Sequence, residues 1–105
     1  MKTAHELKAN IFKAMAHPNR IRILEALRCN ETCNCELGPE LGLEQSNLSR
    51  HLAILVQAGL IQPRKKGVKA YYRLTDDTVF QILDAVQKII LKQTESQMVA
   101  IKQQF

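Results

Sequence analysis

Gln45-Ser46-Asn47-Leu48-Ser49-Arg50-His51-Leu52-Ala53-Ile54-Leu55-Val56-Gln57 is the stretch whose reading decides the fold. On a helix at about 100° per residue, Leu48, Leu52 and Leu55 share one side and must face a core. Ser46, Arg50, Ala53 and Gln57 fall on the other side, flanked by Asn47 and Ser49. That outward face is polar and slim. Small hydroxyl and amide side chains let a helix sink into the major groove of DNA, and an arginine can grip guanine or phosphate. Taken alone, the same face is better read as a solvated surface, so its neighbours decide.

The helix is expected over 45–58, with Gly59 as its left-handed stop. Upstream, Gly42-Leu43-Glu44 separates it from a short helix somewhere in 33–41, which makes a helix-turn-helix. Pro39 would lack a hydrogen bond to the Cys35 carbonyl and crowd it. The regular part of the short helix is therefore expected to begin near Gly38, with the cysteines in an irregular lead-in. Downstream, 60–65 and 69–74 form two strands around Lys65-Lys66-Gly67-Val68. Residues 62–74 carry Arg64, Lys65, Lys66, Lys69 and Arg73 and no acid. Such a hairpin can hold backbone phosphates while the helix reads bases. Lysines also keep edge hairpins soluble, so the order of helix and hairpin is more specific than either part.

Farther out, Thr3 and Glu6 have capping-box spacing, and Leu7, Ile11, Phe12 and Met15 place a first helix over 4–16. His17-Pro18 ends it, and Pro18 suits the first turn of a second helix that runs to about Arg28. Asn30-Glu31-Thr32 is a turn. Thr75-Asp76-Asp77 caps a last helix over about 76–103, with Val79, Ile82, Leu83, Val86, Ile89 and Ile90 along one stripe. The polar run Lys92 to Gln97 is expected to loosen it. The pattern is mainly α with a small β-hairpin: a winged helix-turn-helix of about five helices in one domain over 1–105. The stripes on the first and last helices exceed what one small core can bury, which points to a homodimer.

Composition agrees. A net charge of +5 on 105 residues, with a sequence pI of about 9.3, points to a polyanion, nucleic acid first. No apolar run approaches the ~20 residues of a spanning helix, and Met1 to Glu6 lacks a signal core, so no membrane partner is expected. The three cysteines are an odd number, which suits free thiols in the cytoplasm. No nucleophile–base arrangement or phosphate loop suggests an enzyme.

Cys29, Cys33 and Cys35 lie within seven residues. Thiolates favour soft metals and metalloids, and three of them match the pyramidal demand of As(III) or Sb(III). Zinc or cadmium would want a fourth ligand. Cys29 and Cys33 would be neighbours on a helix, whereas Cys33 and Cys35 point the same way only in an extended segment. A three-sulfur site therefore needs an irregular shape just ahead of the reading unit, and any coupling to DNA is reciprocal. Packing as small apolar residues, a regulatory disulfide between two of the cysteines, and a winged-helix module that binds protein instead of DNA are the competing readings.

Four segments carry a resemblance: Phe12-Lys13-Ala14-Met15-Ala16-His17-Pro18-Asn19-Arg20-Ile21-Arg22-Ile23-Leu24, Cys33-Asn34-Cys35-Glu36-Leu37, Gln45 to Leu52, and Tyr71-Tyr72-Arg73-Leu74. In this order they resemble the arsenic-resistance-operon repressors, the ArsR/SmtB metalloregulators, over about residues 5–75. The resemblance implies a dimer built on the first and last helices, with operator DNA bound in the metal-free state and released when metal binds. With the residue reading, it puts Gln45, Ser46, Asn47, Ser49, Arg50 and His51 on the helix, and Arg64, Lys65, Lys66, Lys69 and Arg73 on the hairpin, as the DNA contacts. Cys33 and Cys35 match the family's paired metal ligands. The third ligand position is Gly38 here, and Cys29 is its substitute by proximity. As(III) or Sb(III) is then the expected inducer, with Cd, Pb and Zn as other soft candidates. The last helix has no histidine for the family's other zinc site. Glu44 stands where the family often has serine.

Overall fold

The computed structural model describes residues 1–104. The Thr3 hydroxyl accepts the Glu6 amide at 3.1 Å and starts α1, Ala4–Met15. His17 then caps α2, Pro18–Ala26, with its Nδ1 accepting the Asn19 amide at 3.0 Å. Strand β1, Thr32–Cys33, leads into α3, Asn34–Leu41, and α4, Gln45–Gln57. The hairpin is β2, Ile61–Lys66, and β3, Lys69–Leu74, followed by α5, Thr78–Gln104. The five helices and the small sheet make a winged helix-turn-helix.

One core collects Met15, Ile23, Leu24, Leu37, Leu48, Leu52, Leu55, Leu60 and Ile61, with Val79 from α5. The leucines of α4 are at most 2% exposed, as their spacing demands. Gly42, at φ +68°, turns the chain between α3 and α4 in the left-handed region that glycine enters freely. The Leu43 amide closes the turn on the Gly38 carbonyl at 2.9 Å.

Three expectations are corrected. First, α3 runs through Pro39 instead of starting near Gly38. The Cys33 sulfur caps it by accepting the Cys35 amide at 3.1 Å, and Leu37 is fully buried. Burial of a leucine, worth about 1.5–3 kcal/mol, rivals the ~3 kcal/mol cost of an interior proline. Second, the wing is three-stranded, in the order β1-β3-β2, with Thr32 opposite Tyr72 and Cys33 opposite Tyr71. A two-residue strand has no alternation to detect. Third, α5 does not loosen at Lys92 to Gln97. Lys, Gln and Glu are good helix formers, and the Thr94 hydroxyl donates back to the Ile90 carbonyl at 3.0 Å. Loss of apolar period ends a buried face, not a helix.

Candidate nucleic-acid interface and sulfur pair

The polar side of α4 lies open. Gln45, Ser46, Asn47, Ser49, Arg50, Ala53 and Gln57 are exposed, while Leu48 and Leu55 root the helix in the core. The Asn47 carboxamide oxygen accepts from Arg50 Nη2 at 3.2 Å, which holds the guanidinium on the outward face. Glu44 is the N-cap residue and makes no side-chain cap hydrogen bond. His51 is the exception among the expected DNA contacts. It is 3% exposed and turned inward against His17 and Arg20, so burial removes it from the contact set.

On the wing, Lys65, Lys66 and Lys69 are exposed around Gly67. Pro63 is tolerated because β2 is the edge strand. Arg73 donates to the Gln62 side chain at 3.1 Å and is also exposed. Arg64 is already engaged. Its guanidinium forks onto the Glu31 carboxylate, with contacts of 2.5–3.2 Å, and its carbon lies 5.4 Å from the Tyr71 ring centroid. The Arg64 hydrogen bond holds the Glu31 carboxyl below its ordinary pKa, and Glu31 in turn raises that of Arg64. Within the sequence of the hairpin there is no acid, so only the fold brings this one to it.

The structure brings two of the three cysteines together. Cys33 and Cys35 are joined by a disulfide across a Cα separation of 5.1 Å, with Cys33 buried and Cys35 exposed. Cys29 is free and exposed. It lines a groove of about 350 Å³ with Arg28, Asp77, Phe80, Gln81 and Asp84. Burial of Leu27 turns the residues after α2 toward α5, where Arg28 stacks 3.7 Å from the Phe80 centroid and meets Asp84 at 3.7 Å. Pairing of β1 with β3 turns Cys33 the other way, into the core. Among the described residues no cluster of three or more His, Cys, Asp or Glu is placed to hold a metal, so the expected three-thiolate set is not assembled. Position 38 offers no replacement. A Cβ there would meet the Leu43 carbonyl oxygen at 3.3 Å, so glycine serves the close approach of α3 to the turn.

Two residues of this region carry weight that the sequence did not suggest, Glu31 and Arg20. Arg20 stands three residues after His17, in the His17-Pro18-Asn19-Arg20 segment, which was the only available signal. Glu31 had none.

Residues 17–62 match the family model described as bacterial regulatory protein, arsR family. The arsenic resistance transcriptional regulator ArsR1 of Pseudomonas putida is 44% identical over 79 residues, 74% of this chain and 61% of that protein. An uncharacterized HTH-type transcriptional regulator of Mycobacterium tuberculosis, Rv0081, is 39% identical over 84% of this chain and 78% of its own length. Its crystal structure superposes with a TM-score of 0.83, covering 93% of this chain and 99% of that one at 33% identity. The solution structure of a homodimeric winged helix-turn-helix DNA-binding domain from Mycobacterium bovis superposes with a TM-score of 0.78 at 26% identity, covering 87% and 84% of the two chains.

Proposed function

The chain belongs to the arsR family of bacterial regulatory proteins, and on that premise we propose that it is a homodimeric cytoplasmic repressor whose hold on operator DNA is released through Cys33 and Cys35. The polar face of α4 enters the major groove. Ser46, Asn47, Ser49 and Arg50 meet base edges and phosphates, and Gln45 lies at the groove-side end. Lys65, Lys66, Lys69 and Arg73 hold the backbone from the wing. The exposed apolar side chains Leu7, Phe12, Ile89, Ile90 and Leu91 support pairing of two copies through α1 and α5. Among the described residues, no helix is long and apolar enough to cross a membrane.

The observation that carries the control step is the placing of two sulfurs side by side at the start of α3, one short helix ahead of α4. The same segment is tied to the wing, because Cys33 pairs with Tyr71 and Glu31 grips Arg64. A change at the sulfurs therefore has a route to both DNA-binding parts. The preferred inducer is As(III) or Sb(III), which adjacent thiolates bind readily and which suits the arsenic-resistance relative. Cd, Pb and Zn fit less well, since zinc sites in proteins usually take four ligands. The disulfide itself favours a second reading, in which oxidation of the pair is the signal. Arg64 is proposed to act through Glu31 as a wing tie and to reach phosphate only when that tie opens.

Fluorescence anisotropy of the protein on its operator separates the two readings. Arsenite added under a thiol-free phosphine reductant should release the DNA, and Cys33→Ser or Cys35→Ser should abolish that release. If arsenite does nothing and a disulfide-forming oxidant releases the DNA, the second reading stands. Cys29→Ser tests the third sulfur. Because Cys29 faces the α5 groove, it should keep the arsenite response, and loss of the response would restore the three-thiolate site.

A further inference from the structure

His51 is a buried polar side chain to which DNA contact gives no part. It sits in the middle of the reading helix at 3% exposure. Its Nδ1 lies 3.3 Å from Arg20 Nη1. The same guanidinium donates through Nε to the Ala14 carbonyl at 2.6 Å and through Nη2 to the Lys13 carbonyl at 3.3 Å. Since α1 ends at Met15, these are carbonyls of its last turn; the Lys13 carbonyl also accepts the Ala16 cap amide at 3.3 Å. Arg20, on α2, therefore joins the end of α1 to the centre of α4. Among the described residues no other side chain joins these three helices through hydrogen bonds.

The chemistry of that junction is directional. A guanidinium offers only donors, so Nδ1 of His51 must accept and the ring proton must sit on Nε2. A protonated His51 would have donors on both nitrogens and a positive charge set against Arg20. The groups around it offer no relief. His17, at the N-cap of α2, places its ring centroid 4.5 Å away, and Arg50 adjoins on α4 itself. From α1 the junction receives the Lys13 and Ala14 carbonyls, already taken by Arg20. No carboxylate is among the partners. We infer that Arg20 and His51 are positioning residues for the reading helix, and that operator binding requires His51 in its neutral form. The inference rests on α4 being the DNA-reading helix. Burial foremost, then His17, Arg20 and Arg50, hold the His51 pKa below the ordinary histidine value, in keeping with this.

The sign of the effect distinguishes this role from a phosphate contact, one form of the DNA contact expected of His51 from the sequence. A histidine touching phosphate would bind DNA more tightly in acid, whereas a positioning histidine that must be neutral loses affinity in acid.

The test is operator affinity by anisotropy between pH 8 and pH 5.5. It uses the duplex that the protein selects from a random-sequence pool at pH 7.5, and only conditions in which circular dichroism shows folded protein. Wild type should hold its affinity at neutral pH and weaken only as pH falls through the lowered His51 pKa of the DNA-free protein, by no more than about tenfold per pH unit. His51→Asn places its side-chain oxygen where Nδ1 stands. It should match wild type at pH 7.5 and show a flat profile. His51→Phe keeps bulk but leaves Arg20 without its acceptor, and should bind about tenfold more weakly at every pH, of the order expected for one lost hydrogen bond to a charged group. Ring-nitrogen NMR of wild type should find the proton on Nε2 at pH 7.5 and a lower His51 pKa on DNA than off it. This last measurement needs no variant to fold. A wild-type profile that stays flat through the pH at which NMR shows free His51 taking up its proton, a wild-type slope in His51→Asn, or a His51 pKa raised on DNA would each overturn the inference while leaving the repressor reading intact. Failure of the protein to select any duplex would overturn both.

Discussion

Helices α4 and α5 carry the same kind of apolar stripe and meet opposite fates. On α4, Leu48, Leu52 and Leu55 are at most 2% exposed, sealed by α2, α3 and the wing. Among the described residues of α5, only Val79 is buried, Ile82 and Leu83 are half covered, and Ile89, Ile90 and Leu91 stand 54–56% exposed. Period alone says that a helix has an apolar face. It does not say whether the chain itself supplies the other side. The 27-residue α5 reaches well beyond the body it starts from, so most of its stripe is left for something else to cover.

The largest expected effect lies on α4. Leu55→Ala should cost about 2–5 kcal/mol in denaturant unfolding, because a fully buried site cannot collapse around the loss. An equally large loss for Ile90→Ala in dilute protein would erase the contrast between the helices. Next comes Ile90→Asp, which should turn the proposed dimer into an 11.9 kDa monomer by sedimentation and weaken operator binding, with helix content retained. A variant that stays dimeric would place the interface elsewhere.

The outer face of α4 is the third test. Arg50→Ala should cost about 1–3 kcal/mol of discrimination between operator and random duplex, whereas Lys66→Ala should weaken both alike and lower the salt slope by about one. Reversal of these two would mean that the wing reads and the helix merely grips. The smallest expected effect is on stability against pH. The neutral form of His51 is favoured in the folded protein, so the unfolded chain takes up its proton first as pH falls. Stability should be complete above about pH 6.5 and decline below it, as thermal midpoints from pH 7.5 to 5.5 would record. His51→Asn should remove that component.

Local signals were enough for the helices that begin with a cap and end at a proline or glycine. Thr3, His17-Pro18, Gly42 and Gly59 act within a few residues of themselves, and the leucines of α4 repeat with the helical period. The hairpin was equally legible, since Gly67 and the strands around it are sequence neighbours. The basic, acid-free hairpin and the slim polar face of α4 likewise needed no structure to be noticed. These features determined the architecture and the polyanion partner.

What only the tertiary structure decided are the pairings between distant residues. Glu31 meets Arg64 across 33 positions, and Arg20 meets His51 across 31. Neither has a period or a spacing, because each depends on how finished elements pack. The same holds for the cysteines. Within seven residues their closeness in sequence suggested one site, yet the fold leaves Cys29 exposed in the groove beside α5 and buries Cys33 where β1 pairs with β3. His51 follows the same logic. On a helical wheel it lies at the flank of the leucine stripe, nearer that stripe than the outward face, and only the packing of α2 brings a guanidinium and a second imidazole to it and closes it from water. Sequence distance sets what a residue can reach alone, whereas the packing of whole helices sets what is brought to it.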